Sequence, residues 1–417
     1  MSETRADEAA PPDRRRVFLT GTFDVQNYGD LLFPPIAAKR LEPYGIDVIP
    51  VSPTDHRTGW RDTAACIAFD DVLAASHPVS GILVGGGNIV HVGPAKLVDY
   101  NAASPATAYA RLWLGATIAA TIRNVPLIWN APGVPYPFPA PLAGHVVIRQ
   151  ALEAANYVSV RDRTSADNLG DPGNAVVDVV PDTAVDVARL WPRRRLETTF
   201  ARLLDRKGAA GDNRFVTLHL KARSFAEPVE MVAAWIDAFA AGHGLTPVLL
   251  ALGPCHHDDV AARRIGRALR GPKIVVDDAH GIEEIAAAIA MATLHLGSSL
   301  HGYITSAAYD VPSLLVGRPA LPKFAGFLEH IGRSGDLVGD WQAAFAVAPA
   351  RLAEPRRGPL VPDDVHRRLD AHWDRVRTEL AAPRSNMLQQ ALFLRSYVQR
   401  GIGLSGWGWM FSPPLDR

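Results

Sequence analysis

From residue 17 to residue 316 the sequence keeps one rhythm: a short apolar run halts at glycine or a polar loop, then a longer segment with helical spacing follows. Apolar runs of strand length lie at 17–20, 47–51, 81–84, 126–129, 157–160 and 175–180, with helical patterns at 30–41, 104–123 and 143–155. After a charged segment the rhythm resumes. Strands are expected at 215–220, 246–252, 273–276, 292–296 and 313–316, and helices at 228–241, 258–270 and 282–290. Such alternation demands parallel sheets, because a parallel return needs a crossover long enough to hold a helix, and helices then cover both faces. At 417 residues the chain also exceeds what one hydrophobic core usually serves. The expectation is an α/β protein with two parallel-sheet domains, 15–195 and 210–345, facing a cleft. The halves share the rhythm but no sequence repeat.

A proline-rich linker, 349–362, leads to a helical extension, 360–417. Residues 363–380 place Val365, Leu369, Trp373, Val376 and Leu380 on one helical face. Residues 385–400 align Met387, Ala391, Leu394 and Val398 and stop at Gly401. This tail is expected to pack back on the N-terminal domain. Its aromatic end, Trp407, Trp409, Met410 and Phe411, either joins that packing or forms a membrane-proximal or partner surface.

Composition excludes several classes. Lys+Arg 43 balances Asp+Glu 43, so no basic field argues for nucleic acid. Two cysteines, Cys66 and Cys255, cannot build a disulfide framework and point to a reducing cytoplasm. Residues 2–12 lack the apolar core of a signal peptide. No apolar run reaches spanning length, and the nearest candidate, 108–122, is broken by Arg111. A cytoplasmic protein is expected, with membrane association left open; the oligomeric state is not legible.

Ligands in open parallel sheets gather at the carboxyl ends of strands, and the polar loops here lie at such ends. The most informative is Gly297-Ser298-Ser299-Leu300-His301-Gly302, between an apolar strand and a helix of small residues. Strand, polar loop and helix start present free N–H groups and a positive dipole end to an anion, with His301 placed to donate a proton. The same residues also describe a serine-capped helix with a buried, hydrogen-bonded histidine. After the first strand, residues 21–30 lack the G-x-G-x-x-G spacing; Gly29 suits a tight turn, Asp30 an N-cap and Asn27 a polar contact. Gly85-Gly86-Gly87-Asn88 allows either close ligand approach or tight helix packing, and His91 follows. Arg161 suits a ligand or Asp182, while Asp162 and Arg163 cap and pair locally. Asp182 reads equally as a general base or a helix cap.

Strand alternation would put Thr217, His219, Lys221 and Arg223 on one face of 215–223. A polar face needs a reason in a sheet buried on both sides. Lys221 and Arg223 suit a phosphate or carboxylate, unless the strand frays by Lys221 and both are solvated. Cys255-His256-His257-Asp258-Asp259 reads as a loop entering a helix, because adjacent histidines do not easily face one metal ion.

In this order and spacing, Asn27-Tyr28-Gly29-Asp30, Gly85-Gly86-Gly87, Arg161-Asp162, Pro181-Asp182 and Ser298-Ser299-Leu300-His301-Gly302 with Val311-Pro312 resemble the polysaccharide pyruvyl transferase family. The resemblance covers roughly residues 17–330. It implies a GT-B-like fold of two Rossmann-type domains. It implies transfer of a pyruvyl group from phosphoenolpyruvate to two hydroxyls of a sugar, forming a ketal on a glycan or glycolipid, with no cofactor and no essential metal. The partners so implied are phosphoenolpyruvate and a sugar acceptor, free or lipid-linked. The donor site falls around His301, with Ser298, Ser299, Leu300, Gly302, Lys221 and Arg223. The acceptor side falls at Asn27, Asp30, Gly86, Gly87, Asn88 and Arg161. Many members carry an arginine two residues before the histidine; here Ser299 stands there. The donor carboxylate is then left to the Ser298 and Ser299 hydroxyls, the helix N-terminus, Lys221 or Arg223.

The expected chemistry makes His301 the acid that protonates the methylene carbon, with Asp182 or Asp30 accepting the acceptor's proton. Two other classes compete. A GT-B glycosyltransferase would use a nucleotide-sugar, although no clear acidic ribose-binding residue is visible in the second domain. A non-catalytic relative would bind glycan or a partner, consistent with Ser299 and the unassigned tail.

Overall fold

The structure, a computed structural model, describes residues 14–74, 78–95, 106–140, 142–209, 214–355 and 358–406. Its first sheet contains β1 (Arg15–Thr20), β2 (Ile46–Ser52), β3 (Ile67–Ala68), β4 (Ile82–Gly85) and β5 (Leu127–Asn130), ordered β3-β2-β1-β4-β5. A single bridge from Ile128 to Tyr157 leads to a short parallel pair, β6 (Val158–Val160) and β7 (Val177–Val179). The second sheet contains β8 (Phe215–His219), β9 (Thr246–Leu250), β10 (Ile274–Val276), β11 (Leu294–Gly297), β12 (Ser313–Val316) and β13 (Leu337–Val338), ordered β10-β9-β8-β11-β12-β13. The pairings are parallel, with Thr20 opposite Val84 and Gly297 opposite His219. In both sheets the strand order reverses beside the first strand, between β1 and β4 and between β8 and β11. Those are the topological switch points where parallel sheets open a crevice. The loops after β1, β4, β8 and β11 are among those that the sequence singled out.

The two domains are joined closely. Tyr28 donates its N–H to the Leu252 carbonyl (2.8 Å), and its hydroxyl meets Thr305 Oγ1 (2.7 Å). The Asp62 carboxylate, from the first domain, accepts the N–H groups of Ile282 (2.9 Å) and Glu283 (2.7 Å). It thereby caps helix Ile282–Ala290 of the second domain.

Several elements differ from expectation. β8 stops at His219, and Ala222–Ser224 forms a 3₁₀ turn, so Lys221 and Arg223 sit on a loop rather than a strand face. The polar strand face has a structural reason: Thr217 Oγ1 meets His295 Nδ1 (2.9 Å), and His219 Nε2 meets Asp258 Oδ2 (2.9 Å), both buried. The charged segment after residue 191 contains a helix, Arg193–Arg206, which buries Leu196, Phe200, Leu203 and Leu204. The expected linker begins inside another helix, Trp341–Ala353, with Pro349 in its last turns.

Helices Asp363–Ala381 and Met387–Ser405 form the described part of the tail and lie on the first domain. Val365, Leu369, Trp373, Val376 and Leu380 enter the core that includes Val17, Leu19 and Leu83. Trp373 donates from Nε1 to Asp186 Oδ2 (3.1 Å), and His372 bridges Asn130 Oδ1 (2.9 Å) and the Tyr157 hydroxyl (3.1 Å). Trp373→Ala should therefore lower the unfolding free energy by about 3–5 kcal/mol in denaturant titration. The aromatic run from Trp407 lies outside the described residues. Among the described residues, no helix is long and apolar enough to cross a membrane.

Candidate active site

Helix Leu300–Ala308 starts where β11 ends. Ser299 holds the N-cap position in extended backbone, but its side chain makes no capping bond. The first-turn N–H groups of such a helix have no partner within it. Leu300 itself is buried in the core, so only its backbone is available at the site. Gly302 lies over a second buried histidine; a Cβ there would stand 3.1 Å from His295 Nε2.

His301, in the first turn, is buried between the two domains. Its ring meets Phe33 edge-on, with centroids 5.5 Å apart. Gly29 provides the space: a Cβ there would lie 1.8 Å from His301 Nδ1. Gly29 is part of a helical turn, Tyr28–Leu31, so close approach rather than an unusual backbone angle demands a glycine. His301 Nε2 faces Asp182 Oδ2 at 3.6 Å, an ion-pair distance beyond hydrogen-bond length.

Asp182 connects that histidine to the first domain. It accepts the Ala184 N–H (3.0 Å) and faces Arg161 Nη1 (3.5 Å). Arg161 donates in turn to Asn88 Oδ1 and lies 3.5 Å from Asp162, which caps helix Arg163–Leu169 by accepting the Ser165 N–H (2.6 Å). Burial alone would raise the Asp182 carboxyl; His301, Arg161 and the Ala184 N–H outweigh it and hold the group at about 2. A carboxylate held so low is a weak proton acceptor, and this one lies against the His301 ring. The depressed value stabilises the fold above the ordinary carboxylate value of 3.8, and the contribution is lost as pH falls through about 2. The contribution is about 2 kcal/mol. Urea unfolding between neutral pH and pH about 2 should show this acid loss in the natural protein and a flatter profile in Asp182→Asn, which starts from lower stability.

On the first domain's side, Asp30 Oδ2 accepts from Thr22 Oγ1 (2.8 Å) and Asn27 Nδ2 (2.8 Å). Asn27, not Asp30, occupies the N-cap position of Tyr28–Leu31. The other oxygen of Asp30 rests against Gly87, where a Cβ would stand 2.7 Å away. Gly86 and Gly87 have φ of 75° and 70°, left-handed values that favour glycine, and Gly86 also lies under the Phe33 ring.

Cations collect on the opposite wall. The Lys221 N–H donates to Ser298 Oγ (3.2 Å), and Ser298 Oγ donates to the His219 carbonyl (3.3 Å), so Ser298 ties the two second-domain loops together. The Lys221 amine is pushed down by burial and by Arg223, against the opposing pull of Asp258. Lys323, in the first turn of helix Pro322–His330, is pushed down to about 7 by burial and by the like charges of Arg161, Lys221 and Arg223. His256 falls to about 4 through burial, with Lys221, Arg223 and Lys323 adding to the shift. Among the described residues, Lys221, Arg223 and Lys323 have no ion-pair partner. These three basic side chains, Arg161 and a helix N-terminus put an excess of positive charge and N–H donors on this wall, against the carboxylates of Asp258 and Asp30. Sequence reading missed Lys323. Pro322 marks a helix start, but nothing local separates this lysine from a surface one.

The sequence-derived donor and acceptor residues therefore converge on one interdomain crevice around His301. Asp258 belongs elsewhere, as the partner of buried His219 and the first residue of helix Asp258–Ala268.

Among solved structures, UDP-GlcNAc 2-epimerase from Methanocaldococcus jannaschii, in complex with UDP-GlcNAc and UDP, is 11% identical with a TM-score of 0.52, over 88% of this chain and 99% of that one. A second structure of that enzyme is 10% identical with a TM-score of 0.52, over 92% and 99%. At that identity the likeness is one of fold, a GT-B-like pair of Rossmann-type domains. No curated protein matches this chain. The family model described as polysaccharide pyruvyl transferase matches residues 27–318, a span that holds the switch-point loops of both sheets. With the greater part of its length so matched, the chain belongs to the polysaccharide pyruvyl transferase family.

Proposed function

We propose that the protein transfers a pyruvyl group from phosphoenolpyruvate to two hydroxyls of a sugar in a glycan or glycolipid, forming a pyruvate ketal. The observation that carries this reading is the set of basic side chains without an ion-pair partner among the described residues, Lys221, Arg223 and Lys323, on the crevice that holds His301. Phosphoenolpyruvate presents a phosphate and a carboxylate a few bonds apart, and one cation cluster can hold both.

His301 donates a proton to the methylene carbon, which makes C2 an oxocarbenium-like electrophile. One sugar hydroxyl adds to C2, and the C2–O bond to phosphate breaks. The second hydroxyl closes the ring on C2. One hydroxyl proton replaces that given by His301 and the other leaves with phosphate, so protons and charge balance. Asp30, half-buried on the facing wall, is the carboxylate placed to relay the acceptor's proton, while Asp182 holds His301. Among the groups near the missing arginine of position 299, the Ser299 hydroxyl and the first-turn amides add neutral donors to the cations.

The test is incubation of the full chain with phosphoenolpyruvate and a panel of oligosaccharides, with inorganic phosphate and the ketal carbon followed by NMR. Stoichiometric release of phosphate with ketal formation supports the reading. Turnover of a nucleotide-sugar in place of phosphoenolpyruvate would replace it with glycosyl transfer.

A further inference from the structure

Beside the His301 crevice a second cavity, of about 340 Å³, lies between the two domains, in the size range of small-molecule sites. One wall is the loops at the carboxyl ends of β9 and β10, from Ala251 and from Asp277. The other is Gln26 and the loop after β2 that carries Trp60. Interdomain hydrogen bonds hold the walls together: Tyr28 to the Leu252 carbonyl, as above, and the Arg61 N–H to the His280 carbonyl (3.0 Å). The walls touch at Gly253, where a Cβ would stand 1.9 Å from the Gln26 carbonyl oxygen. Gln26 precedes Asn27, whose amide holds Asp30, so the cavity adjoins the acceptor side of the crevice.

Its chemistry is unlike that of the donor wall. The charged lining residues are three acids, Asp259, Asp277 and Asp278, and one base, Arg61. Cations outside the cavity fix the acids in place. Arg263 pairs with Asp259 and with Asp277 (3.0 Å), and Asp278 pairs with Lys207 (2.6 Å) and Arg206 (3.0 Å). Such a lining disfavours phosphates and carboxylates, while carboxylate oxygens keep lone pairs for hydroxyl donors. Trp60 is half-buried, packed on the core and facing the cavity as well. Its backbone is tied into a fixed turn, with its N–H on Thr58 Oγ1 (3.3 Å) and its carbonyl accepting from Thr63 Oγ1 (3.0 Å). An indole face attracts the C–H groups of a pyranose ring, and fixed carboxylates take its hydroxyls.

We propose that this cavity is a subsite for a second, neutral sugar residue of the acceptor glycan, next to the residue that receives the pyruvyl group. The assignment rests on the pyruvyl-transfer reading. It gives the acceptor two anchoring points, so a disaccharide binds more tightly than a single sugar.

Saturation-transfer NMR on the full chain, without donor, tests this with lactose and cellobiose against methyl β-galactoside and methyl β-glucoside. At least one disaccharide should bind, and more tightly than its monosaccharide. Trp60→Ala should weaken that binding about tenfold and leave the thermal shift with phosphoenolpyruvate unchanged, and Trp60→Phe should lose less. Asp278→Asn should also weaken it about tenfold, with little change in Tm, because the side chain is 56% exposed. That variant keeps the test open if Trp60→Ala fails to fold. No binding of either disaccharide overturns the proposal, as does unchanged disaccharide affinity in Trp60→Phe and Asp278→Asn. Uridine signals of UDP-N-acetylglucosamine that saturate in the natural protein and vanish in Trp60→Phe would make the cavity a nucleoside site and overturn it too. Sugar binding is read without donor and pyruvyl transfer by phosphate release, so the two readings fail separately.

Discussion

His301→Asn is expected to lower kcat with phosphoenolpyruvate by about 10²–10⁴-fold, the range that a positioned general acid supplies. The fold should survive, because asparagine fills part of the same interdomain space and still offers Asp182 a donor. Gly29→Ala should reproduce much of the loss without touching a titratable group. Its methyl would collide with His301 Nδ1 and force the imidazole away from Asp182. Steady-state rates and thermal melts on both variants check this. A near-normal kcat in His301→Asn would remove the histidine from the chemistry, whatever Gly29→Ala does.

Lys221→Met and Lys323→Met should each raise the KM for phosphoenolpyruvate by about 10–100-fold, since hydrogen bonds to charged groups contribute roughly 1.5–3 kcal/mol. Lys323 should also write its titration into the pH profile. It is charged below about 7 and neutral above, so KM should rise as pH climbs through that value. Lys323→Arg should hold affinity and flatten the profile, because a guanidinium keeps its charge. An unchanged KM in both methionine variants would move the donor elsewhere in the crevice.

Much of the fold was legible in the sequence. The runs that became β1, β4, β8 and β11 are apolar, short and bounded by glycine or polar loops, and central parallel strands buried on both faces must read that way. β3 and β13 are two residues each, too short to leave a pattern. Helix Arg193–Arg206 was hidden because Arg193, Arg194 and Arg195 open it, although Leu196, Phe200, Leu203 and Leu204 have helical spacing. The site divides in the same way. His301, Arg161 and Asp182 stand at strand ends, where ligand-facing residues concentrate, and could be picked individually. Their connection could not, because Asp182 meets His301 only when the two domains close on each other. Lys323 and the demand for glycine at position 29 are likewise properties of packing between segments far apart in the chain.

Ligand-dependent thermal unfolding separates phosphoenolpyruvate from nucleotide-sugars in one measurement, without knowledge of the acceptor. Phosphoenolpyruvate at about a hundredfold above its Kd should stabilise the protein by about 2.7 kcal/mol and raise Tm by several degrees. Lys221→Met/Lys323→Met should lose that shift, and UDP-N-acetylglucosamine should leave Tm unchanged. A rise in Tm with UDP-N-acetylglucosamine and none with phosphoenolpyruvate would contradict a donor site at His301.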